Sequence, residues 1–280
     1  MCIAVITDIH HGAPSLTKRG DAALALLNRF AGFVAREAPD LILELGDRIS
    51  DVDHETDLRR AREVAEALSP LDMPVHHICG NHDRDHLSVA ENADVLGQPL
   101  ANQVIDLGSW SLVLWRADAK IHRGGREITF HLPEPDLVWL AQTVAEATKP
   151  LLIASHVPVS GQSQIGNYYF QNTPALATYP QAARARAILA TAAVPIVCLA
   201  GHVHWNTLSQ IDGVHHLTQQ SLTESFTTRG APAGAWGLID LGETVHWRVF
   251  GADPFEARIT PRAERWMPPL PPLSQLKAPQ

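Results

Sequence analysis

Carboxylates, an amide and imidazoles recur in this chain just after short apolar runs, a pattern suited to holding metal ions. Asp8 and His10 follow AVIT, and Asp47 follows LILEL and a glycine. Asn81 and His82 follow VHHIC and a glycine, His156 follows LLIAS, and His202 and His204 follow IVCLA and a glycine. Each run reads as a buried strand. Side chains at several strand ends can meet at one edge of a sheet, and residues far apart in sequence then build one centre. Asp8 and His10, like His202 and His204, are spaced i and i+2, which on a regular strand puts both on one face. The glycines at 46, 80 and 201 suit turns where backbone passes close to a ligand. Alone, an Asp-x-His would be an ordinary turn with a surface histidine and an Asn-His pair a loop, while a Gly-His-x-His is more suggestive. All five in this order are not expected by chance.

The elements that must position them alternate along most of the chain. The periodicity predicts a strand at CIAVIT and a helix over roughly 17–37. It then predicts a strand at Leu41–Leu45, a helix over 56–69 and a strand at Val75–Cys79. A hairpin is expected around Gly108-Ser109, a helix over about 135–148, a strand at Leu151–Ser155, a helix near 180–193 and a strand at Pro195–Ala200. Only strand-like segments follow, with Asp212-Gly213 as a tight turn. This order predicts an α/β fold of two mixed β-sheets packed face to face, flanked by helices in four layers. One domain is expected over 1–250, followed by an extended proline-rich arm over 251–280 that includes Pro268-Pro269-Leu270-Pro271-Pro272.

Composition narrows the function classes. The net charge of −8, from 22 basic and 30 acidic side chains, offers no basic face for a nucleic-acid polymer. No run of about 20 apolar residues is present, and the first eight residues reach a polar motif without a basic leader, so a cytoplasmic protein with no membrane segment is expected. Cys2, Cys79 and Cys198 fall in or beside core strands, as small buried hydrophobes rather than a disulfide framework. Fifteen histidines is a high count and agrees with metal chemistry.

The chain resembles the calcineurin-like metallophosphoesterase superfamily over about residues 1–205. It carries Asp8-Ile9-His10, Gly46-Asp47, Gly80-Asn81-His82-Asp83, His156 and Gly201-His202-Val203-His204 in that family's order. Trp139, Lys149-Pro150 and Ser155-His156-Val157-Pro158 also resemble the family's approach to its fourth motif. The resemblance implies two transition-metal ions, Mn or Fe first, with Zn or Co as alternatives. Mixed N/O ligands suit these metals better than calcium. One ion would take Asp8, His10 and His204, the other Asn81, His156 and His202, with Asp47 bridging. Such a pair lowers the pKa of a bound water, orients a phosphate and stabilises charge on its oxygens. The resemblance places His82 beside the metals as the acid that protonates the leaving oxygen.

Neighbouring residues are expected to support this centre. Asp83 could orient an imidazole or cap the segment that follows. Arg84 and Arg48 flank motifs and could meet phosphate oxygens or sit at the surface. His11 should point away from His10. Many members place a polar residue three positions after the bridging Asp; here that residue is Ser50, with Asp51 one further on.

The loop over about 157–179 starts at His156 and should overhang the metals. Its Gln162, Asn167, Tyr168, Tyr169 and Phe170 could grip an organic ester group, and Gln219–Arg229 forms a second candidate rim. The segments differ from those of Ser/Thr protein phosphatases and are more similar to the bacterial cyclic-nucleotide and glycerophosphodiester phosphodiesterase branch. The expected activity is hydrolysis of a small phosphodiester by metal-activated hydroxide. A phosphomonoesterase or nucleotidase is the alternative, and a non-catalytic binding scaffold is a third. The expected partner is a small phosphoester, and a homo-oligomer is allowed.

Overall fold

The computed structural model describes residues 1–124, 127–267 and 269–275. Pro268 of the proline run and the arm's last residues, 276–280, lie outside the described residues. The strands are β1 (Cys2–Ile6), β2 (Leu41–Glu44), β3 (Val75–His77), β4 (Gln103–Asp106), β5 (Ser111–Leu114), β6 (Ile121–Gly124), β7 (Glu127–Phe130), β8 (Leu151–Ser155), β9 (Ile196–Ala200), β10 (Thr207–Ile211), β11 (Val214–Thr218), β12 (Trp236–Asp240), β13 (Val245–Phe250) and β14 (Phe255–Ile259). The helices are α1 (Ala23–Glu37), α2 (His54–Leu68), α3 (Asn81–Arg84), α4 (Val89–Leu96), α5 (Glu134–Glu146) and α6 (Ala182–Ala190).

Two six-stranded mixed sheets form, in the orders β14-β13-β12-β1-β2-β3 and β10-β11-β9-β8-β5-β4. The alternation of side chains along each central strand explains the layering. Ile3 and Val5 of β1 and Leu41 and Leu43 of β2 face Leu112, Leu152, Val197 and Leu199 of the other sheet. Ala4, Ile6 and Ile42 point outward and are covered by Leu27, Phe30 and Val34 of α1 and Val64 and Leu68 of α2. On the far side, Val113, Ile153 and Cys198 are covered by Leu137 and Leu140 of α5 and Ala185 and Leu189 of α6. Strands buried on both faces read as continuous apolar runs, which is why they stand out in the sequence. β1 sits mid-sheet, parallel to β2 and antiparallel to β12.

The expected four-layer α/β architecture is therefore present, with element ends shifted by a few residues. Asp212 and Gly213 both take positive φ and join β10 to β11 as a tight turn. Four elements were not read from the sequence: the short α3, α4, the β6–β7 hairpin and β14. β14 corrects the arm, since residues 255–259 pair with β13. Pro254 and Pro261 flank this strand, and at a sheet edge they cost no ladder hydrogen bond. Among the described residues, no helix is long and apolar enough to cross a membrane.

Candidate metal centre

All seven candidate ligands lie past the carboxyl ends of β1, β2, β3, β8 and β9, and all are buried. Strand alternation does not place them. Asp8, His10, Asp47, His202 and His204 each adopt positive φ between 48° and 69°. Side chains other than glycine rarely take this conformation, and a cluster of such residues marks a site over-determined by its surroundings. The i, i+2 pairs therefore meet through left-handed turns rather than one strand face. The glycines make room. A Cβ on Gly80 would collide with the Asp47 carboxylate, and one on Gly201 with Thr7 and the Asp8 carboxylate. Gly46 itself sits at φ +102° against Gly80.

Two groups of potential ligand atoms share Asp47. Asp8, His10, Asp47 and His204 form one; Asp47, His156 and His202 form the other; within each group the atoms lie within 4.8 Å of one another. His204 Nε2 is 2.9 Å from His10 Nε2 and 3.2 Å from Asp8 Oδ1. His156 Nε2 is 3.4 Å from Asp47 Oδ2 and 3.3 Å from Asn81 Oδ1, which adds the asparagine to the second group. Ligands about 2.0–2.2 Å from a metal lie about 3 Å from one another, so these separations match the edges of a coordination shell.

The hydrogen bonds behind the imidazoles fix which nitrogen faces inward. His156 Nδ1 donates to Leu45 O at 2.8 Å and His202 Nε2 donates to Leu176 O at 2.8 Å. His204 Nδ1 pairs with Glu224 Oε2 at 2.8 Å. The nitrogens left free are the ones in the cluster, the orientation a metal-binding histidine needs.

The charge balance also calls for cations. Burial alone would lower His156 and His204. The Asp47 carboxylate outweighs it at His156, and Asp8 with Glu224 outweighs it at His204, so both rise to about 9. Burial and neighbouring cations keep His10 and His202 low. Without metal, protons on His156 and His204 supply the compensation, so metal binding releases protons and tightens as pH rises. The residues present therefore fit two metal ions.

Beneath Asp47 lies an ionic scaffold. Asp83 accepts from the backbone N–H groups of Asp47 (2.8 Å), Arg48 (3.0 Å) and Gly80 (2.8 Å). The Arg48 guanidinium is fully buried, donates to Glu44 at 2.6 Å and lies 3.2 Å from Asp83. Arg48 thus neither meets phosphate nor sits at the surface; it locks the turn carrying Asp47. Asp83 caps and does not orient an imidazole. That task falls to Asp51, whose carboxylate contacts His82 Nδ1. His82 N donates to Asp47 Oδ1 at 2.8 Å, and its Nε2 is 4.0 Å from Asp47 Oδ2. His11 pairs with Glu63, as expected for a side chain turned from the cluster.

A cavity of about 240 Å³ opens onto the centre, with Lys18, His82, Arg123, Tyr169 and Phe170 among its walls. Of the proposed substrate contacts, Tyr169 lines it and three do not. Arg84 reaches Asp118 and Leu87 O instead. Asn167 is buried and holds its own loop, donating to Val203 O and accepting from the Tyr169 and Phe170 amides. Tyr168 is 54% exposed and stacks against Phe226. Glu224 and Lys18 were not singled out in the sequence. Glu224 lies inside the Gln219–Arg229 rim, where only its pairing with His204 reveals a role. Glu224→Gln should keep the fold and weaken metal affinity about 10–100-fold, as loss of a carboxylate behind a metal-binding histidine does. Metal titration of the chelator-stripped variant checks this; unchanged affinity would contradict the role.

The family profile described as calcineurin-like phosphoesterase matches residues 1–206. The chain is 27% identical over 161 residues to a probable cyclic nucleotide phosphodiesterase from Synechococcus sp., covering 56% of this chain and 58% of that protein. It is 32% identical over 160 residues to a 3′,5′-cyclic adenosine monophosphate phosphodiesterase from Pseudomonas aeruginosa, covering 53% of each. The matched stretch thus spans just over half the length of these relatives. A dimetal phosphatase from Danio rerio has the same fold, with a TM-score of 0.73, 16% identity and coverage of 92% of this chain and 98% of that one.

Proposed function

The chain belongs to the calcineurin-like phosphoesterase family, and on that premise we propose that it hydrolyses a small phosphodiester at a dinuclear metal centre. Asp8, His10 and His204 would hold one ion, Asn81, His156 and His202 the other, and Asp47 both. When bound, the ions supply Lewis acidity toward a phosphoryl oxygen and acidify a water. The observation that carries the reading is the pair of buried ligand groups sharing Asp47 at the floor of a cavity.

The chain's own residues complete the chemistry. Asp51 anchors His82 at Nδ1, which leaves Nε2 on the cavity side to pass a proton to the departing oxygen. The Asp51 carboxylate fixes the ring orientation for that transfer. Glu224, Leu45 O and Leu176 O hold three imidazoles in fixed orientations. Ile121, Phe170 and Leu176 give the cavity an apolar wall for the organic part of an ester. Its volume suits a small molecule rather than a polymer, and the two cyclic nucleotide phosphodiesterases among the relatives support a diester.

Protein supplied with Mn²⁺ should cleave bis-p-nitrophenyl phosphate faster than p-nitrophenyl phosphate. A strong preference for the monoester would overturn the diester reading, and no cleavage of either by metal-loaded protein would overturn hydrolysis.

A further inference from the structure

Lys18 is 7% exposed, yet it lines the metal-facing cavity, with its Nζ beside His82 of the same wall. Its side-chain partner among the described residues is not a carboxylate but His82, with Nζ 3.4 Å from Nε2. Asp47, Asp51, Glu224 and Asp8 attract it from beyond ion-pair contact. A buried ammonium without a paired anion is expensive to keep.

The surroundings hold it there. Lys18 and Ser15 exchange backbone hydrogen bonds of 2.9 and 3.0 Å. Thr17 Oγ1 is tied to Tyr169 Oη at 2.8 Å, and Thr17 O accepts from Ser225 Oγ. Arg19 donates its amide to Thr223 O at 2.9 Å and its side chain to Gly230 O at 3.0 Å. Two other loops, one carrying Tyr169 and one spanning Thr223–Gly230, therefore clamp the residues on either side of Lys18.

The other charged groups near this wall have counterparts. Asp51 contacts His82, Glu224 pairs with His204 and Arg123 with Asp85. With Asp8 and Asp47 engaged by cations, no carboxylate among the described residues is left to pair with Lys18 at contact distance. We propose that Lys18 is a phosphate-binding residue of this site, its Nζ donating to a non-bridging oxygen of the substrate's phosphoryl group. This rests on the phosphoesterase reading and adds a protein contact to it. A single ammonium acts as a point charge on a flexible stem and suits a tetrahedral oxyanion.

The test compares wild type, Lys18→Met and Lys18→Arg, each loaded with Mn²⁺. Calorimetric titration with inorganic phosphate is paired with kinetics on bis-p-nitrophenyl phosphate and with metal analysis. Lys18→Met should bind phosphate about 10–100-fold more weakly, the range expected for losing a hydrogen bond to a charged group. Its KM should rise more than its kcat falls, with manganese content unchanged, and Lys18→Arg should recover much of the affinity. Phosphate binding by Lys18→Met within twofold of wild type would overturn the proposal. So would a loss that follows manganese content, or one that arginine does not relieve, since either marks a purely structural lysine. Wild type that binds manganese and phosphate but cleaves neither ester would overturn the hydrolysis reading and leave the Lys18 contact standing.

Discussion

Asp47→Asn should strip most of the bound metal and lower turnover by about a thousandfold or more. Asp47 belongs to both ligand groups, so its charge is the negative term common to two cations. Metal ions contribute several kcal/mol of charge stabilisation to such a transition state, and each 1.36 kcal/mol is a factor of ten in rate. Asparagine matches aspartate in shape; the backbone contacts, N–H on Asp83 and carbonyl accepting from His10 N at 2.9 Å, are untouched, and the asparagine Oδ1 can still accept from His82 N as the carboxylate does. The fold should therefore survive. His156 would also lose the carboxylate that holds it at about 9 and fall toward the low values that burial alone imposes. Metal analysis without chelators, a melting curve and kcat on the diester check the three parts. A variant that keeps two metals per chain and turns over within tenfold of wild type would remove Asp47 from the bridging position.

The seven candidate positions were legible because each follows a short strand-forming run, four of the five runs being apolar and buried on both faces while Val75–Cys79 is part-buried, and that pattern survives in sequence without any contact information. Why they converge was not legible. Left-handed backbone at Asp8, His10, Asp47, His202 and His204 depends on turns closed by Gly46, Gly80 and Gly201 against other segments. The same limit explains the misread side chains. Arg48 next to Asp47 read as a phosphate contact or a surface side chain, and only the placement of Glu44 and Asp83 around it shows a buried strut. Asn167 resembled a substrate clamp, yet its amide is spent on Val203 O and on the Tyr169 and Phe170 amides of its own loop. Glu224 and Lys18 act on groups 20 and 64 residues away in sequence, a relation no local pattern encodes. β14 was hidden by composition, since proline content reads as extended chain while the edge strand between Pro254 and Pro261 alternates part-buried and exposed residues as a strand should.

His82→Ala should retain its metal and lose activity in proportion to how poor the leaving group is. The imidazole lies beside the ligand groups without belonging to either, so its removal leaves both donor sets whole. What is lost is the proton delivered at Nε2. A nitrophenolate departs readily unprotonated, whereas an alkoxide such as a sugar oxygen does not. General acid catalysis by one positioned side chain is worth about 10²–10⁴-fold, and that range should appear for an alkyl or nucleoside ester and shrink toward unity for p-nitrophenyl esters. Asp51→Asn should push the same way by a smaller factor, because asparagine can still touch Nδ1 but forms a weaker hydrogen bond than a carboxylate and holds the ring less firmly. The decisive plot is log kcat against leaving-group pKa for wild type and both variants. Acid catalysis predicts a shallow wild-type line that steepens in His82→Ala, with Asp51→Asn between them. Parallel lines with equal losses for good and poor leaving groups would assign His82 to phosphate binding, where its 3.4 Å approach to Lys18 also places it within reach of the same oxyanion.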